Sequence, residues 1–168
     1  MRQQPCAQPV LANQNGSIDE SALESLLGRL IAADVDSIGL LGSTGSYVFF
    51  TREERRRAIE IATRKVEERA PLLVGIGALR TDEAVKLAQD ARLAGATAGL
   101  LAAVSYTPLM DDEVFTHFET VARLGKLPLC ITTTRARRIF GSRLGRSVGL
   151  AGSRASSPSR VRLRTKTA

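Results

Sequence analysis

Tryptophan is absent from this sequence, and only two Tyr and five Phe stand among its 168 residues. The core must therefore come from aliphatic side chains. No apolar run approaches the ~18 residues a membrane-crossing helix needs, so no membrane partner is expected. One Arg near the N-terminus, with no continuous apolar stretch behind it, argues against a secretory signal. Cysteine is scarce as well. Cys6 and Cys130 are the only two, and Cys130 lies in an apolar segment. A reduced, cytoplasmic protein is the simplest account. No metal site and no cofactor are expected.

The last absence is local. Residues 132–168 contain no Asp or Glu against ten Lys and Arg, whereas residues 1–131 carry all 17 acids and 14 bases. The net charge of +7 thus divides into −3 for the body and +10 for the tail. The basicity of the whole chain says nothing about the partners of its body.

What the body does have is alternation. Residues 1–16 are irregular, with a weak strand signal at Pro9-Val10-Leu11-Ala12 and a turn signal at Asn15-Gly16. Residues 17–36 read as a helix, with Asp19 and Glu20 in its first turn and Leu23, Leu26, Leu27, Leu30 and Ile31 on one face. Residues 37–41 read as a short buried strand. Thr51 and Glu54 form a capping-box pattern for a helix running to about 69. Its inner face is Ala58, Ile59, Ile61, Ala62 and Val66, and its mixed-sign outer face reads as solvated. A second strand covers 72–76. Thr81 caps a helix over 82–93, which Gly95 ends. A third strand covers 98–104. Asp111, Asp112 and Glu113 open a helix that Gly125 closes, and 127–131 is the fourth strand.

Strands buried on both faces and joined by helices predict parallel pairing. An open doubly wound sheet and a (β/α)8 barrel both satisfy this pattern. In either, chemistry belongs at the carboxyl ends of the strands. Gly42-Ser43-Thr44-Gly45-Ser46 lies at such an end. Two glycines let the backbone turn and approach a ligand, and two hydroxyls with nearby backbone N–H groups can hold a carboxylate or phosphate without a cation. The plain alternative is a tight strand-to-helix turn. Gly77 and Tyr106 fall at two further strand ends, which favours a site. Gly75-Ile76-Gly77 is not a dinucleotide fingerprint, because Arg80 stands where the third glycine belongs. Tyr106 also fits an interface or packing role. His117, the sole histidine, reads as a structural residue far from the strand ends.

Gly42-Ser43-Thr44-Gly45 followed by Thr51-Arg52-Glu53-Glu54-Arg55 resembles the second strand end and helix of the dihydrodipicolinate synthase / N-acetylneuraminate lyase family. Residues 71–77, then Val104-Ser105-Tyr106-Thr107-Pro108 and His117-Phe118, resemble its next two βα units. The resemblance spans roughly residues 9–131. It implies a (β/α)8 barrel, here incomplete at four to five βα units. It also implies a Schiff-base lysine that makes or breaks a carbon–carbon bond of pyruvate or another 2-oxo acid, in a homo-oligomer. By the same resemblance Ser43 and Thr44, framed by Gly42 and Gly45, bind the substrate carboxylate. Tyr106 is implied as the catalytic proton-relay tyrosine, often across a subunit contact. Ser46 departs from the glutamate that many members carry, which weakens assignment to the classical synthase.

After Ile131 the family continues Tyr-Asn-x-Pro, whose tyrosine is the central relay. This chain has Thr132-Thr133-Thr134-Arg135-Ala136-Arg137-Arg138. Suppose an ancestral gene encoded Ile-Tyr-Asn-Asn-Pro-Gly-Thr-Thr-His as ATC TAC AAC AAC CCG GGC ACG ACG CAT: dropping the first T of the tyrosine codon then yields Ile-Thr-Thr-Thr-Arg-Ala-Arg-Arg, which is the sequence from Ile131 through Arg138. Residues 132–168 are therefore expected to be a basic, disordered, out-of-frame tail. None of Lys65, Lys86, Lys126 and Lys166 stands at a strand end, so no turnover is expected. The alternative function is non-specific nucleic-acid binding through the ten tail cations, which deletion of 132–168 would abolish. A third reading is a phosphate-binding half-barrel using residues 42–46.

Overall fold

The computed structural model describes residues 6–7, 12–13, 16–42, 47–132 and 161–163. Its elements run β1 (Cys6–Ala7), α1 (Glu20–Ala32), β2 (Ile38–Leu40), a 3-10 turn (Tyr47–Phe49), α2 (Arg52–Val66), β3 (Leu72–Gly75), α3 (Thr81–Leu93), β4 (Ala98–Leu101), α4 (Asp111–Gly125), β5 (Leu129–Ile131) and β6 (Val161–Leu163). Strands β1 to β5 are parallel, and each pairs with the next in sequence. A doubly wound sheet reverses its order at a switch point, whereas a barrel does not. The sequential order makes this a partial (β/α)8 barrel. No described helix is long and apolar enough to cross a membrane.

Strands β2 to β5 are buried on both faces along most of their length, as a sheet layered under helices requires, and only β4 among them alternates. Ile38, Leu40, Leu72, Val74, Leu101, Leu129 and Ile131 are buried with Leu23, Leu27, Ile61, Ala88 and Val121 from the helices. Asp19 caps α1 by accepting from the Ala22 N–H at 2.9 Å, so the helix starts at Glu20, three residues later than the sequence suggests. That N–H and the Ser21 hydroxyl hold the Asp19 carboxyl below its ordinary range. The Thr51–Glu54 capping box forms as expected. Seams between helices are tied by ion pairs. Glu20 accepts from Arg57 through two bonds of 2.7 Å, joining α1 to α2.

Several expectations need correction. Thr81 does not cap α3. It is the first helical residue, Arg80 holds the cap position without a side-chain bond, and the Thr81 hydroxyl pairs with His117 instead. α4 does end at Gly125 as expected, but the left-handed cap is the next residue, Lys126, at φ 51. Gly125 is needed for close packing, since a β-carbon there would stand 2.6 Å from the Ala88 Cβ. The third strand stops at Leu101, because the chain then leaves the sheet for a long connection. The first described strand is Cys6–Ala7. Pro9, Val10 and Leu11 lie outside the described residues. Within the tail, Val161–Leu163 forms a strand where none was expected, antiparallel to β5 with Cys130 opposite Arg162. The exposed edge of β5 offers unpaired N–H and C=O groups, and a three-residue segment led by a β-branched valine satisfies them.

Candidate active site at the carboxyl ends of the strands

The connections after β2, β3 and β4 all emerge on one side of the sheet. Leu41 ends the first of these strands in a left-handed conformation, φ 54, with its side chain wholly buried. Gly75, ending β3, meets it. A β-carbon on Gly75 would fall 1.7 Å from the Leu41 carbonyl oxygen, so only glycine permits this approach. Gly42 follows Leu41 at the mouth. Ser43, Thr44 and Gly45, the core of the expected carboxylate loop, lie outside the described residues, as does Ser46. The chain resumes at Tyr47, whose hydroxyl lies 3.3 Å from where a β-carbon on Gly77 would stand.

A cavity of about 310 Å³ opens between the start of α2 and the β3–α3 connection. Tyr47, Phe50, Arg52, Arg55, Gly77 and Glu83 are among its walls. Its three arginines have different company. Arg52 grips the buried carboxylate of Asp90 through Nε and through Nη2 at 2.8 Å, which holds its pKa up. Arg80 pairs with Asp82 at 2.9 Å and 3.0 Å, and that bond keeps the Asp82 carboxyl below its usual range. Arg55 has no carboxylate partner among the described residues. Its Nη2 donates to the Gly75 carbonyl at 2.9 Å and its guanidinium sits 5.0 Å from the centre of the Tyr47 ring. Burial pushes its pKa down. Neither Arg55 nor Tyr47 stands out in the sequence as a site residue. Arg55 does fall three, four and seven residues before Ala58, Ile59 and Ala62, and that spacing places it on the apolar face.

Tyr106 is brought to the same end of the sheet but not into this cavity. It is 99% exposed, in the loop after β4, and shares no wall with Gly77. An outward tyrosine is available to a neighbouring molecule and unavailable to its own strand ends. His117 is nearer the mouth than expected. From α4 its Nδ1 lies 2.9 Å from the Thr81 hydroxyl, at the start of α3, and its ring packs beside Phe118. The described lysines are elsewhere. Lys65 is exposed on α2, Lys86 on α3 pairs with Asp82 and Glu83, and Lys126 precedes β5 at the opposite end of the sheet. Lys166 lies outside the described residues.

Comparison with known proteins agrees with this geometry. The profile of the Dihydrodipicolinate synthetase family matches residues 7–137. A 4-hydroxy-tetrahydrodipicolinate synthase from Bartonella bacilliformis is 34% identical over 127 residues, 76% of this chain and 43% of that protein. The crystal structure of dihydrodipicolinate synthase from Agrobacterium tumefaciens superposes with a TM-score of 0.75 at 52% identity, over 80% of this chain and 46% of the other. A prophage protein of the dihydrodipicolinic acid synthase family from E. coli K12, solved in complex with pyruvate, gives 0.72 at 29% identity, over 76% of this chain and 44% of its own. The chain spans less than half the length of the curated relatives it matches.

Proposed function

Because the chain belongs to the Dihydrodipicolinate synthetase family, we propose that its body is the amino-terminal part of a Schiff-base carbon–carbon lyase or synthase. Its substrate is pyruvate or a related 2-oxo acid, and this polypeptide alone does not turn over. Ser43 and Thr44 hold the substrate carboxylate through hydroxyl and backbone N–H donors, with Gly42 and Gly45 letting the backbone come close. Tyr106 relays a proton, and its outward position suits a relay into a neighbouring copy within a homo-oligomer. The pyruvate-bound relative from E. coli K12 supports the substrate class.

The placement of the lysines carries the reading of inactivity. A nucleophilic amine needs a desolvated pocket at the strand ends to lower its pKa. Lys65 and Lys126 are exposed, and Lys86 is held between two carboxylates. The missing relay tyrosine and lysine follow from the shifted frame after Ile131. Borohydride reduction in the presence of pyruvate tests this. No covalent adduct is expected, and an adduct on any lysine overturns the reading. Restoring one base at codon 132 should yield Tyr-Asn-Asn-Pro and an adduct-forming chain. A restored frame without further strands and helices would refute the origin of the tail. Non-specific RNA binding by residues 132–168 stands as the alternative, and loss of RNA retention on deleting them would favour it.

A further inference from the structure

Arg55 occupies a position on α2 where an apolar residue would serve the core at less desolvation cost. It is 6% exposed, flanked on its face by Ala58, Ile59 and Ala62. Among the described residues no carboxylate offsets that cost. Its partners are the Gly75 carbonyl and the Tyr47 ring, and its Nε has no partner among the described residues. Such a cation is not explained by packing.

Both of its contacts lie at the mouth of the barrel. Gly75 is jammed against Leu41, the left-handed residue that delivers the chain to Gly42. Tyr47 takes up the chain after residues 43–46 and lays its hydroxyl over Gly77. One guanidinium therefore touches the strand end that fixes Leu41 and the aromatic ring that closes the same connection. We infer that Arg55 is a positioning residue. It pins Tyr47 to the end of β3 and so fixes both ends of the connection from Gly42 to Tyr47. The inference rests on the reading of Ser43 and Thr44 as the carboxylate-holding pair, which sit between those ends. Arg55 does not touch substrate. It sets the separation and direction of the two points from which the connection springs.

The test uses the full chain and Arg55→Met, which keeps an unbranched side chain of helical preference and removes every donor. Amide exchange at Leu41, Gly42 and Ile76 should quicken about tenfold, the loss of one charge-assisted bond, while exchange at Ala62 is unchanged. The melting temperature should hold or rise, because a buried unpaired cation is gone. Pyruvate affinity, followed by saturation-transfer NMR, should fall about tenfold, and Arg55→Lys should recover part of it. A lower melting temperature with exchange quickened throughout would mean a plain packing role and overturn the inference. So would unchanged exchange at the mouth, or native pyruvate affinity in Arg55→Met. If the native chain binds no pyruvate, the reading of Ser43 and Thr44 fails. The exchange arm then still decides whether Arg55 pins the mouth.

Discussion

The two ends of the sheet are built differently. At the amino end the described helix-to-strand connections take three to five residues, and their left-handed positions, Asp34, Glu67, Glu68, Gly95 and Lys126, are all exposed. At the carboxyl end the connections after β2 and β4 run to eleven and nine residues. Six of the eight exposed large apolar side chains among the described residues lie there: Val48, Phe49, Leu79, Tyr106, Leu109 and Met110. Among the described non-glycine residues at that end the left-handed one, Leu41, is fully buried, while the left-handed Gly16 in the connection after β1 is exposed. A turn that merely reverses the chain puts its strain where water and a polar side chain absorb it. Strain kept under a buried side chain, beside unburied apolar surface, marks the end shaped for ligand and neighbours.

The largest effect expected from this contrast is at Gly75. In Gly75→Ala the new methyl would meet the Leu41 carbonyl oxygen at 1.7 Å and its carbon at 2.6 Å, and these are backbone atoms that cannot swing aside as a flexible side chain would. We expect a loss of at least about 3 kcal/mol, read as a lower urea midpoint. Wild-type stability in this variant would mean that the β2–β3 approach is not tight, and the contrast between the ends would weaken.

Leu41 and Lys126 give the sharper comparison, because their φ angles are 54 and 51. Replacing either by glycine relieves about 1 kcal/mol of left-handed strain. Leu41→Gly also removes a wholly buried side chain, which costs roughly 2–5 kcal/mol. It should therefore destabilise by about 2 kcal/mol net. Lys126→Gly removes only exposed atoms and should stabilise by about 0.5–1 kcal/mol. Equal signs for the two variants, by urea denaturation, would break the comparison.

Much of the architecture was legible because periodicity reports burial, and burial is what a parallel sheet between helices demands. The helix faces of α1 and α2, the capping box at Thr51 and the four main strands follow from that rule alone. What escaped were features fixed by tertiary neighbours. Thr81 carries the signature of a cap, yet a histidine 36 residues away claims its hydroxyl. Gly125 ends α4 as its sequence position suggests, but that its missing side chain also admits Ala88 is written nowhere near it in the chain. Arg55 is indistinguishable by type from its exposed neighbours Arg56 and Arg57, and only its spacing along the apolar face sets it apart. The choice between an open sheet and a barrel needed strand order, which local pattern does not contain. Ser43 and Thr44 are proposed as site residues from their motif and Tyr106 from its loop; the outward exposure of Tyr106 depends on what surrounds that loop and is not written in the local sequence.

The smallest effect concerns acid. His117 bridges the contrast, since it belongs to α4 and its bond is to Thr81 at the carboxyl-end start of α3. Burial holds its pKa below the ordinary 6.5, with no other cause acting on it, and its Nε2 is buried without a partner among the described residues. Protonation would place a charge where nothing receives the second N–H. The unfolded chain takes up its proton near pH 6.5, before the folded one does. Stability should thus be full above pH 6.5 and decline as pH falls below it, levelling once the folded imidazole also titrates. Because the chain has one histidine, His117→Gln should flatten that slope above about pH 5, where carboxylates remain ionised. In the native chain the amide shift of Thr81 should follow the titration while that of Gly95, at the amino end, stays still. A Gly95 shift that moves with Thr81 would mean the protonation loosens α3 as a whole, and the two ends would no longer be independent.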